Sequence, residues 1–143
     1  HKLAGYKYSR PEKNPKALLV VVHGLCGGHW NYMDICNHFV NKDFAVFAYD
    51  ATGNGTSEGK KVGGFAQGLC DLDYVLNYVK AIPEYKGLSI VLMGHSWGGF
   101  STLNISALHP EISHIVAMCG FVSVKEMINT FFVIQQLISV GII

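Results

Sequence analysis

Apolar and polar positions along this chain fall into blocks that alternate between two periods. Ala17–Val22 and Phe44–Tyr49 are unbroken apolar runs rich in β-branched and aromatic residues. Runs of that length predict strands buried on both faces, as in a parallel sheet. Leu88–Met93 and Ser113–Cys119 read the same way. Between them the spacing changes to that of helices. Trp30–Val40 carries Tyr32, Ile35, Cys36 and Phe39 on one face. Gly64–Ile82 carries Phe65, Leu69, Leu72, Val75, Leu76 and Val79 in steps of three and four, and Pro83 stops it. Asp71, Asp73 and Lys80 fall off that stripe and are expected on the solvated face. Phe100–Leu108 predicts a further helix, closed by His109-Pro110. The first ten residues alternate only in part, which suits the end of an edge strand before the turn residues Pro11, Asn14 and Pro15. This order predicts an α/β fold, a mostly parallel sheet with helices on both faces.

The last block departs from the rest. Val124 to Ile143 places Val124, Met127, Ile128, Phe131, Ile134, Leu137 and Ile138 on a broad helical stripe, with Lys125 and Glu126 as its only charges. A helix this apolar must cover a core, a partner or a greasy pocket. Its polar face lacks the basic residues of a membrane-surface helix.

Composition narrows the function classes. The chain has 143 residues, half of them hydrophobic and 15% charged, which is a globular balance and enough for one domain. A net charge of +1 without a basic run gives no footprint for nucleic acid. No stretch is long and apolar enough to predict a transmembrane segment. Cys26, Cys36, Cys70 and Cys119 lack zinc or C-x-x-C spacing and read as reduced thiols in core or loop regions of a cytoplasmic protein. No metal or cofactor site is expected. The chain opens on His1 and not Met, so a preceding segment is expected to have been cut away or left out.

Three loops carry candidate chemistry, and each follows a predicted strand. His23-Gly24-Leu25-Cys26-Gly27-Gly28 follows the first buried strand, where α/β sheets place ligand-binding turns. Asp50 opens the turn-rich loop to Gly59, and its expected role is to brace that loop by hydrogen bonds. Gly94-His95-Ser96-Trp97-Gly98-Gly99 matches G-x-S-x-G between a strand and a helix. In that context the chain turns sharply at Ser96, and Gly94 and Gly98 permit the close approach. The following helix directs its N-terminal N–H groups toward developing negative charge. His109 and His114 fall at the opposite, amino edge of the sheet and are not expected to serve as the base.

With these motifs, residues 17 to 121 resemble the α/β-hydrolase fold, and within it serine hydrolases of the lysophospholipase, monoacylglycerol lipase and serine aminopeptidase type. The resemblance implies that Ser96 is the nucleophile, that the backbone N–H groups of Leu25 and Trp97 form the oxyanion hole, and that His23, Gly24, Gly94, His95 and Gly98 support the motif. It implies a carboxylic ester or acyl substrate and neither cofactor nor metal. It divides the chain into residues 1–121, the amino-terminal part of the core, and 122–143, the start of a helical cap lining an acyl pocket.

The family supplies its acid and histidine after later strands. Beyond Ser96 this chain offers only Glu111, Glu126, His109 and His114, none in a matching place. The triad acid and base are therefore not identifiable here, and the core is expected to be incomplete at its C-terminal side. Two readings stand. One is the amino-terminal part of a serine ester hydrolase, with thioesterase, peptidase, haloperoxidase or acyltransferase chemistry as variants on the same triad. The other is a truncated, non-catalytic relative that binds a ligand or partner, with a completing chain or a second copy filling the open edge.

Overall fold

The computed structural model describes residues 2–112 and 114–139. His1, Ser113 and the end of the last predicted helix, 140–143, lie outside the described residues. Strand β1 (Ala4–Tyr8) is followed by β2 (Leu18–Val22), α1 (Met33–Val40), β3 (Ala45–Asp50), α2 (Gly64–Ala81), β4 (Ile90–His95), α3 (Trp97–Asn104), β5 (His114–Met118) and α4 (Val124–Ser139). The strands form one sheet in the order β1-β3-β2-β4-β5. Only β1 is antiparallel, pairing Ala4 with Asp50 and Tyr8 with Val46. Val22 lies opposite Tyr49 of β3 and Gly94 of β4, so three strands finish side by side at one edge.

Side-chain alternation explains why β2 is apolar throughout. Leu18, Val20 and Val22 pack with Leu72, Val75, Leu76 and Val79 of α2. Leu19 and Val21 point the other way, onto Tyr32 and Cys36 at α1. Each face thus has its own core, and the helices lie on both faces as the alternating pattern requires. The carboxyl edge between these layers is where all three candidate loops emerge.

Several boundaries differ from the periodicity. The first helix begins as a 3₁₀ turn, His29–Tyr32, before α1. The helix after Ser96 starts at Trp97 and not Phe100, and it gives way to a 3₁₀ turn at Ile105–Ala107. Glycine propensity argues against helix at Gly98 and Gly99, but packing overrides it. Asp71 is not solvated: it is buried, accepting hydrogen bonds from the Thr52 N–H (2.7 Å), the Thr52 hydroxyl (2.8 Å) and the Gln67 amide (2.8 Å). The loop after β3 crosses α2 there. Of the cysteines only Cys36 is buried, while Cys26, Cys70 and Cys119 are exposed. Helix α4 buries none of its described residues, and Phe131 and Phe132 are 67% and 62% exposed. Among the described residues no helix is long and apolar enough to cross a membrane.

Candidate active site

Ser96 sits between β4 and α3 with φ 53° and ψ −112°, a conformation that L residues rarely adopt. Such a residue costs about 1–3 kcal/mol and persists only where its surroundings hold it. The Ser96 N–H donates to the Met118 carbonyl (2.8 Å), and the Ser96 carbonyl accepts from the Phe100 N–H (2.9 Å). The turn closes because two glycines let backbone meet backbone. A Cβ on Gly94 would stand 2.3 Å from the Gly98 carbonyl oxygen, and one on Gly98 would stand 2.2 Å from that of Val22.

Two clefts meet at Ser96. One, about 470 Å³, is bordered by the Gly24–Gly27 loop, Asn31, Tyr32, His95 and Met118. The other, about 340 Å³, is apolar, bordered by Phe65, Phe121, Met127 and Phe131 with Leu25, Trp97 and Cys119. Phe65, Phe100 and Phe121 form an aromatic cluster behind it, with ring centroids 5.1–5.6 Å apart. Leu25, Ser96 and Trp97 thus border one cleft. Among the described residues, neither the Leu25 nor the Trp97 N–H finds a protein acceptor. The Ser96 hydroxyl also has no protein partner among them.

His23 is buried and fully engaged. Its Nδ1 donates to the Gly24 carbonyl (2.7 Å), and its Nε2 accepts from the Ala51 N–H (2.9 Å). A carbonyl can only accept and an N–H can only donate, so these partners select one neutral tautomer. Burial lowers the His23 pKa below the ordinary 6.5, against smaller opposing effects from Gly24 and Asp50. A depressed histidine pKa favours folding above the unfolded value, and that contribution is lost as pH falls below about 6.5. Urea midpoints should therefore decline across the mildly acidic range, and His23→Gln should flatten that part of the decline. An unchanged slope in the variant would contradict the assignment.

Asp50 braces its loop, as expected from turn chemistry. The wholly buried carboxylate accepts from the His29 N–H and imidazole (both 2.9 Å), the Thr56 N–H (3.1 Å) and the Tyr6 hydroxyl (3.2 Å). Burial pushes its pKa up, but the His29 and Thr56 hydrogen bonds outweigh it and hold the carboxyl below its ordinary range. The His29–Asp50 pair resembles half a triad, but neither residue borders the Ser96 clefts. The buried His109 joins Asp73 (2.8 Å), Glu111 (3.1 Å) and Lys80 (2.8 Å) at the far side. His114 starts β5 opposite Val91, well back from Ser96 along the sheet.

Tyr32 was legible only as one point on a helical stripe. Its phenol oxygen accepts from the Gly24 N–H (3.2 Å) and lies 2.8 Å from His95 Nδ1. Sixty-three residues separate Tyr32 from His95, so no local spacing signals the contact.

Comparison with known proteins agrees with this architecture. Residues 13–140 match the family described as serine aminopeptidase, S33. The human monoglyceride lipase is 35% identical over 107 residues, 73% of this chain and 34% of that protein. The monoacylglycerol lipase of Paleococcus ferrophilus superposes with a TM-score of 0.67 at 25% identity, over 82% of this chain and 42% of that one. A thermostable carboxyl esterase from Bacillus coagulans superposes with a TM-score of 0.73 at 21% identity, over 97% and 46%. The chain therefore spans about a third of the curated relative's length and less than half of either solved chain. With its mostly parallel sheet, its Ser96 turn and this match across most of its length, the chain belongs to the serine aminopeptidase S33 family of α/β hydrolases.

Proposed function

We propose that this chain carries the nucleophile and oxyanion hole of a serine ester hydrolase. One observation carries the reading. Ser96, strained and without a protein partner among the described residues, stands at the meeting of two clefts beside the unpaired N–H groups of Leu25 and Trp97. Ser96 Oγ attacks the ester carbonyl, and its proton passes to a general base. The carbonyl π bond opens, placing charge on the oxygen, and the two N–H groups receive it. Preorganised donors of this kind contribute roughly 2.7–4 kcal/mol each to the transition state. Collapse expels the alcohol, protonated from the base, and leaves an acyl-enzyme that water hydrolyses to the acid. The acid and base of the triad are assigned to no residue of this chain. His23, His29 and His109 are each held by other partners.

The acyl chain is placed in the apolar cleft of Phe65, Phe121, Met127 and Phe131. The segment from residue 122 through α4 then begins a cap over it, which gives the exposed apolar face of α4 a role. The curated relatives, among them a monoglyceride lipase and a protein phosphatase methylesterase, support carboxylic esters as the substrate class. Pre-steady-state hydrolysis of an aryl ester by the full-length protein tests the mechanism. A burst of phenol, about one per enzyme, ahead of slower steady release is the expected result. Turnover without a burst under slow-deacylation conditions would contradict an accumulating acyl-enzyme. The exposed phenylalanines of α4 favour a second reading, a binding role through this helix. That reading predicts neither burst nor turnover.

A further inference from the structure

We infer that the Tyr32 phenol is the clamp that sets the Leu25 N–H against Ser96, a positioning residue for the reaction proposed above, on which this inference rests. The phenol bridges the residues that immediately precede the two halves of the site. Gly24, which donates to it, precedes Leu25; His95, which it also meets, precedes Ser96. Beyond the strand ladder, it is the only polar link between the Gly24–Gly28 loop and the Ser96 turn among the described residues. The other bonds of the loop run elsewhere. The Gly27 N–H returns to the Gly24 carbonyl (3.1 Å), the Gly28 N–H goes to Asn31 (3.0 Å), and His23 goes to Ala51.

One arrangement of the hydrogens satisfies both contacts. The Gly24 N–H can only donate, so the phenol oxygen accepts it. The phenol's own proton is then free for His95 Nδ1, which accepts. In that arrangement the His95 ring proton is on Nε2, which has no protein partner among the described residues. Burial raises the Tyr32 pKa, so the phenol keeps the proton this arrangement needs. The two segments are also in near contact: a Cβ on Gly24 would lie 3.0 Å from His95 Nδ1 and 3.6 Å from Ser96 Cβ. A polar bond across so close a seam holds the loop against the Ser96 turn. A misplacement of about 1 Å can cost on the order of a hundredfold in rate.

Tyr32→Phe removes one oxygen and keeps the ring in its 8% exposed seat. In the full-length protein it should lower kcat on a p-nitrophenyl ester by about 10- to 100-fold, with KM changed less than about twofold. A trifluoromethyl ketone, whose adduct with the serine bears an oxyanion, should lose affinity by the same factor. His95→Leu, which removes only the His95 half of the bridge, should reproduce part or all of the defect, and the double variant should be little worse than Tyr32→Phe, which already removes both bonds. Wild-type kcat and ketone affinity in Tyr32→Phe, whatever its melting temperature, would overturn the clamp. Failure of the wild-type protein to bind the ketone at Ser96 would overturn the serine reading itself, and the clamp with it.

Discussion

Ser96→Ala is expected to reduce ester turnover by about 10⁴- to 10⁶-fold in kcat, by the usual scale for loss of a serine nucleophile. The same change should leave stability nearly untouched. Alanine keeps the Cβ, so the cost of holding φ 53° is the same in both proteins. The Ser96 hydroxyl also has no protein partner among the described residues, so its removal leaves no buried donor or acceptor unpaired. Paired measurements of kcat and melting temperature check this directly. A turnover loss below about tenfold would mean that water is activated by another group. A large fall in melting temperature would mean that the hydroxyl is structural.

Gly98→Ala is expected to fail in the opposite manner, through the fold. Its Cβ would lie 2.2 Å from the Val22 carbonyl oxygen and 2.6 Å from that of His23. Both atoms are backbone, at the end of a strand paired on each side with Tyr49 and Gly94. Neither can swing away as a side chain would. Relief requires α3 to lift from the sheet, which uncovers Trp97, or the carboxyl end of β2 to shift, which disturbs His23 and the Leu25 loop. A loss of about 3 kcal/mol or more is expected, together with activity, since overpacking a tight interior costs typically 1–3 kcal/mol even where side chains can give. Urea denaturation measures it. A loss below about 1 kcal/mol would show that α3 is not seated as closely as the geometry states.

The elements whose burial is uniform were legible in the sequence. The Leu18–Val22 and Ala45–Tyr49 strands are buried on both faces, so an unbroken apolar run marks them directly. Helix α2 shows its stripe and its stop at Pro83, and Ser96 shows its turn through Gly94 and Gly98. What escaped depends on segments far apart in the chain. Asp71 lies beside the core stripe, and periodicity cannot show that Thr52 crosses above it to supply two hydrogen bonds. Helical spacing marks α3 only from Phe100, whereas the helix starts at Trp97, where Gly98 lets it sit on β2. The His29–Asp50 pair and the Tyr32–His95 contact join loops of different strands, and each residue alone is unremarkable. No triad acid or base is identifiable in the sequence, and among the described residues His95, whose Nδ1 meets Tyr32, is the only histidine or carboxylate that borders the Ser96 clefts.

The proposed chemistry requires Ser96 to form the covalent intermediate. Intact mass of the full-length protein after treatment with a fluorophosphonate tests it most directly, with peptide mapping and Ser96→Ala as the control. A single adduct is expected, mapped to the peptide that carries Ser96 and absent from the variant. No adduct on the wild-type protein, or an adduct that persists in Ser96→Ala, would contradict it.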